Sequence, residues 1–150
     1  MLSLQESPGN SAGPEVDAVP RVLGDLRVDD HVVAEPFLED ELVGIASPGA
    51  LSLRRGRARL DALAGTTLLV RERGSSTRAT ADRFLARAGY RPAKRWELDS
   101  NEAIKRSVRA GLGIGFVSRL VVEDEVERGD LVAFRVEGVP PMRRAIHLLR

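Results

Sequence analysis

A three-layer α/β unit with a central parallel sheet is the fold class this sequence predicts, and three observations carry it. The segments Leu68 to Arg71, Arg95 to Leu98 and Ile114 to Val117 have strand length, and the first and last are apolar without alternation, as in strands covered on both faces. Segments of helical period lie between them, so the order from Leu68 to Val117 is β-α-β-α-β. The connections are too short for anything but right-handed parallel crossovers.

Composition sets the frame for this core. The chain has 150 residues, enough for one domain or slightly more, and 43% of them are hydrophobic but only 4% aromatic, so the core is aliphatic. Charged residues make up 30% of the chain and balance to a net +1, which gives no bulk attraction to nucleic acid or to a membrane. The absence of cysteine excludes disulfides, thiol catalysis and thiolate metal sites. No apolar run approaches the roughly 20 residues of a membrane span, and the first 20 residues lack the basic and apolar regions of a secretory signal. A cytoplasmic protein is expected.

Along the chain, residues 1–27 are rich in Pro and Gly without periodicity and are expected to form a flexible tail. HVVAEP and ELVGIA then read as two β-rich pieces separated by an acidic turn at Glu39, Asp40 and Glu41. A basic loop leads into a short helix near Leu60 to Leu63, with Gly65 at its end. After the strand ending at Arg71, Gly74, Ser75 and Ser76 offer a turn and an N-cap. The following helix carries Ala81, Phe84, Leu85 and Ala88 on one face and reaches Gly89, which suits a left-handed C-terminal position. Asp99 with Glu102 resembles a capping box opening a second helix, with Ile104 and Val108 on its buried side. The glycines of GIGFVS permit close backbone approach in the third strand. A helix from Leu120 to Arg128 and two last strands, LVAFRV and AIHLLR, complete the pattern.

Few residues invite chemistry. His31 and His147 lie in opposite terminal strands with no partner at ligand or triad spacing, and the carboxylate clusters at Glu39 to Glu41 and Glu123 to Glu127 read as solvated faces. No catalytic residue, metal ligand or cofactor is expected. GLGIG enters a strand instead of leaving one, which is the wrong place for a dinucleotide phosphate. Arginines are dense between Arg54 and Arg109, but no aromatic stacking set interleaves them, and direct nucleic-acid contact by this chain is not expected. The hydroxyl-rich turn Ser75, Ser76 and Thr77 is the better candidate. In a parallel sheet it would share one edge with the helix starts at Asn101 and Ser118, where free N–H groups favour a carboxylate, sulfate or phosphate. Helix capping alone is the competing explanation of these hydroxyls.

The succession VAEPFLEDELVGIASPG, LLVRERGSSTRATADRFLARAGYRP and ELDSNEAIKRSVRAGLGIGFVSRLVVEDEVERGDLVAFRVEG resembles the effector-binding domain of LysR-type transcriptional regulators over about residues 28–150. The resemblance implies a type 2 periplasmic-binding-protein-like fold, in which two Rossmann-like subdomains are joined by crossover strands around a small effector. It places residues 48–136 in the second subdomain, and 32–46 and 145–149 in crossover strands. Ser47, Ser75, Ser76, Thr77, Asn101 and Ser118 then become effector-facing positions. It also implies that DNA is reached only through a helix-turn-helix domain this chain lacks, so a truncated regulator is expected. A non-binding remnant, and a solute-binding or enzyme domain of the same fold, are the alternatives. Truncation would leave Val32, Val33, Leu42, Val43 and Ile146 to Leu149 poorly covered, from which self-association is expected.

Overall fold

The computed structural model describes Ser3–Gln5, Arg21–Gly24 and residues 34–149, with side chains described over 38–146. The strands are β1 (Ser3–Gln5), β2 (Arg21–Gly24), β3 (Ala34–Ala46), β4 (Arg57–Ala58), β5 (Thr67–Arg71), β6 (Lys94–Leu98), β7 (Ile114–Ser118), β8 (Val132–Val136) and β9 (Met142–Leu149). The helices are α1 (Leu60–Leu63), α2 (Ser76–Arg87), α3 (Asn101–Arg109) and α4 (Arg119–Glu127). The main sheet runs β1-β2-β9-β3-β7-β5-β6, and β8 pairs with both β3 and β4. β5 is parallel to β6 and to β7, as expected from the β-α-β-α-β order.

Alternation along the strands divides the core into two layers. Leu42, Leu68, Val70, Ile114 and Phe116 belong to one cluster with Ala81 and Leu85 of α2. Val43, Ile45, Leu69 and Val117 belong to the other, with Ile104 and Val108 of α3 and Val122 of α4. Strands covered on both faces explain why the apolar runs show no polar alternation. β7 is buried at every position, whereas β6, at the end of the sheet, is exposed at four of its five.

The glycines expected to allow close approach do so. A Cβ at Gly113 would fall on the carbonyl oxygen of Thr67, and one at Gly115 would lie 2.7 Å from Cγ2 of Ile104. Gly89 takes the left-handed conformation, with φ of 79°, and Tyr90 donates its N–H to the carbonyl of Leu85, which ends α2 as expected.

Four expectations are corrected. The acidic segment is no turn: Glu39, Asp40 and Glu41 lie inside the single strand β3, paired with Ala145, Arg144 and Arg143 of β9. Asp40 and Glu41 are buried there because Arg144 and Arg135 respectively neutralise them. Within the stretch expected to be a tail, Ser3–Gln5 and Arg21–Gly24 form strands, and β2 pairs antiparallel with β9. The open edge of β9 supplies β2 with backbone partners that local composition does not reveal. β9 consequently has strands on both sides, and Leu42, Val43 and Ile146 are buried, so the uncovered face inferred from the sequence is absent at these positions. Val32 and Val33 lie outside the described residues. Finally, α3 is capped by Ser100, whose Oγ accepts from the N–H of Ala103, and not by Asp99.

Lys105 joins the two helices of the second layer. Its Nζ meets the carboxylates of Glu102 and Glu125 and donates to the carbonyl of Val121 at 3.0 Å. Hydrogen bonding from Lys105 holds the Glu125 carboxyl below its usual value. A carboxyl lowered in the folded state stabilises above its unfolded value and loses that stability as pH falls. Urea titrations from pH 6 down through about 4 should therefore show a stability loss that is smaller in Glu125→Gln. Separately, Gly113→Ala should lower stability by about 1–3 kcal/mol, because backbone at Thr67 must shift.

Candidate functional site

The carboxyl ends of β5, β6 and β7 lead into helices, and each helix begins with a serine cap. Ser75 Oγ accepts from the N–H of Arg78 at 3.3 Å, Ser100 Oγ from Ala103 at 3.0 Å, and Ser118 Oγ from Leu120 at 3.2 Å. Because the three strands are parallel, the three helix starts share one edge of the sheet. α2 packs with one core layer, and α3 and α4 with the other. Gly74 precedes the α2 cap with φ of 97°, and a Cβ there would meet nothing, so the turn needs glycine for its conformation and not for space.

A buried ionic network lies under this edge. Asp40 and Arg144 face each other across β3 and β9, with side chains 1% and 2% exposed. Asp40 Oδ2 accepts from Arg144 Nε at 3.2 Å, while Oδ1 accepts from Ser118 Oγ and from the N–H of Glu41, each at 2.8 Å. Arg144 Nη1 donates to Ser76 Oγ at 2.9 Å. Two strands, the end of a third and the start of α2 are thus bound into one unit. A second pair, Glu41 with Arg135, is bidentate at 2.7 Å for both contacts and points to the opposite face. The hydrogen bonds from Glu41 push the Arg135 guanidinium above its usual value.

At the end of β5, Arg71 Nη1 donates to Asn101 Oδ1 at 2.9 Å and Nε to Glu72 at 2.7 Å. That contact with Arg71 holds the Glu72 carboxyl below its usual value. Arg78 donates to the carbonyl of Arg71 and to Glu97, tying α2 to β5 and β6. Two arginines that the sequence left as part of a possible basic surface, Arg71 and Arg78, are therefore internal clamps.

Of the six positions expected to face an effector, Ser75, Ser76, Asn101 and Ser118 come to the shared edge at the helix starts, but α2 packs on one face of the sheet and α3 and α4 on the other, so the three helix starts do not face one space: Ser76 and Ser118 meet through the Asp40–Arg144 pair, and Asn101 is bonded to Arg71 on the α3 side. Thr77 is 1% exposed, its hydroxyl has no partner, and it lines a cavity of about 10 Å³ between α2 and β5 with Val70 and Phe116. A cavity of that size is at the lower limit for one water and excludes a metabolite. Ser47 is not brought to the edge. β3 runs antiparallel to β7, so its end lies where the parallel strands begin, and Ser47 lines a groove there with Thr66 and Gly113. Sequence reasoning missed Asp40 and Arg144 as site residues. The signal was present as opposite charges within two apolar strand-like segments, but pairing them needs the register of β3 against β9. No group of three or more potential metal ligands occurs among the described residues.

An α/β sheet with helix starts gathered at one carboxyl edge, joined to two long antiparallel strands, belongs to the class of α/β sheets that take ligands at the carboxyl ends of their strands. Comparison with known proteins makes this specific. The family described as the LysR substrate binding domain matches residues 14–150, and the chain belongs to that family, the effector-binding regulatory domains of LysR-type transcriptional regulators. It is 40% identical over 140 residues to the HTH-type transcriptional regulator YeiE of Escherichia coli (strain K12), covering 87% of this chain and 46% of that protein. It is 38% identical over 114 residues to the RuBisCO operon transcriptional regulator of Allochromatium vinosum, covering 76% of this chain and 38% of that one. The chain thus spans less than half the length of either relative. The regulatory domain of Synechocystis PCC6803 CcmR, solved in complex with 2-PG, superposes with a TM-score of 0.73 at 26% identity, over 87% of this chain and 62% of that one. These relatives have the periplasmic-binding-protein-like fold of type 2 that the sequence predicts.

The buried pair has an asymmetric signature under mutation. Asp40→Ala strands a buried guanidinium and should cost about 3–5 kcal/mol, whereas replacing both partners by apolar residues, Asp40→Leu with Arg144→Met, should cost far less. Denaturant unfolding of the two variants measures the difference.

Proposed function

We propose that this chain senses a small anionic metabolite at the carboxyl edge of β5, β6 and β7, and does so without catalysis. The observation that carries the reading is the coincidence, at one edge, of the N-terminus of α2 with the guanidinium of Arg144, hydrogen-bonded to Ser76. A helix start contributes about half a positive charge and unpaired N–H groups. Ser75, Ser76 and Ser118 supply or orient the polar groups on the α2 side, while Asn101, bonded to Arg71 on the α3 side, and Ser47 and Thr77 stand apart from them. The 2-PG bound by the CcmR regulatory domain supports a ligand of this class.

As a part of a transcriptional regulator the domain works in the cytoplasm, and its effect on DNA passes through a separate DNA-binding domain. No described helix is long and apolar enough to cross a membrane. Self-association belongs to the proposal on grounds other than those read from the sequence. β6 ends the sheet with β5 as its one partner strand among the described residues, and Trp96 on it is 48% exposed.

Thermal unfolding with 2-PG, inorganic phosphate and sulfate, against an uncharged polyol, tests the reading. Anions should raise the midpoint, by the equivalent of about 2.7 kcal/mol at a concentration 100 times Kd. No response to any anion would favour the non-binding remnant, and turnover of a bound ligand would favour the enzyme of the same fold.

A further inference from the structure

We infer that Arg144 is a positioning residue that sets the hydrogen-bond polarity of the anion site through Ser76, so that the Ser76 hydroxyl turns its hydrogen to a bound anion; the inference rests on the anion-binding reading above.

A serine hydroxyl has one hydrogen to donate and two lone pairs to accept with. The two edge serines in the network use these in opposite senses. Ser118 donates its hydrogen to Asp40 Oδ1, since a carboxylate only accepts, and its oxygen receives the N–H of Leu120. Its donor capacity is spent inside the protein. Ser76 instead receives a hydrogen bond from Arg144 Nη1, and a guanidinium only donates. The hydroxyl hydrogen of Ser76 is thereby directed away from Arg144 and stays available.

The backbone adds to this polarity. The first hydrogen bonds of α2 run from Arg78 to Ser75 Oγ and from Ala79 to the Ser75 carbonyl. The N–H groups of Ser76 and Thr77 therefore precede the helical ladder. The start of α2 is therefore rich in donors, two N–H groups and the Ser76 hydroxyl, which favours a fully ionised oxyanion over a neutral hydroxyl or an acid that must itself donate.

Arg144 does not belong to α2, and this gives the arrangement its second consequence. Its guanidinium is oriented by Asp40, opposite it in the sheet, so the direction of the Ser76 hydroxyl is set by the register of β9 on β3. An anion that tightens on Ser76 pulls on both long strands at once.

Sulfate is the probe, because at neutral pH it accepts hydrogen bonds and donates none. Binding is read from the amide chemical shifts of Ser76 and Thr77, with sodium chloride at matched ionic strength as the control. Arg144→Lys, which keeps the charge and loses the fork, should weaken sulfate about tenfold. Ser76→Ala should weaken it similarly, and the double variant should be no weaker than Ser76→Ala alone, since Arg144 acts through that hydroxyl. Arg128→Ala, on the exposed end of α4, should bind as the unaltered protein does. If Arg144→Lys does not fold, the neutral pair Asp40→Asn with Arg144→Gln, which leaves no buried charge, should show the same weakening. Unchanged sulfate affinity in these Arg144 variants overturns the inference, as do losses that multiply in the double variant. If the unaltered protein gives no sulfate-specific shift, the anion reading itself is wrong.

Discussion

The Asp40–Arg144 pair is the constraint on which the site depends. Two charges with side chains 1% and 2% exposed are stable only when paired and hydrogen-bonded, and here Ser118, Ser76 and the N–H of Glu41 add bonds to the pair itself. The requirement works over long range, since the bonds from Asp40 span 78 residues to Ser118 and 104 to Arg144. A one-residue slip of β9 on β3 would put Arg144 on the other face and leave Asp40 charged and alone. The pair thus specifies register, and register places the helix starts relative to the crossing strands.

Packing enforces the same geometry from the apolar side. β7 is buried throughout and touches β3 on one edge and β5 on the other. Gly113 lies close on the Thr67 carbonyl, Gly115 on Ile104, and Gly44 beneath the ring of Phe134. These contacts leave β7 little freedom, so Ser118 at its end is delivered to Asp40 with small error. The edge-to-face contact of Phe116 with Phe134, with centroids 5.8 Å apart, closes the layer below the network.

Serine at the edge has two roles that a sequence does not distinguish. Capping and ligand binding both ask for hydroxyls at helix starts, and Ser75, Ser100 and Ser118 are all caps in the structure. What separates Ser76 from them is that it caps nothing and accepts from an arginine on a strand 68 residues away, whereas Ser118 donates to Asp40. The family resemblance is confirmed by the match over residues 14–150 and by relatives of 40% and 38% identity. Within that family the position of each hydroxyl still has to be established on this chain, as Ser47 shows by lying at the opposite end of the sheet.

Local information determined the elements. The apolar runs of β5 and β7, the periodicity of α2, and Gly74 and Gly89 at its ends are written in residues next to one another, because strand and helix propensities and turn conformations act over a few positions. The parallel order of the central strands followed from the same signals, since short crossovers leave one handedness. Tertiary structure alone decided the rest. Glu39 to Glu41 read as a turn because carboxylates favour water, and they became strand only when β9 and two arginines arrived to neutralise them. The four residues of β2 owe their conformation to a strand more than a hundred residues away, β1 in turn pairs with β2, and no local composition records such a partner. Burial of charge is decided by what lies across the sheet, and that is a property of register, which exists only once the chain has folded.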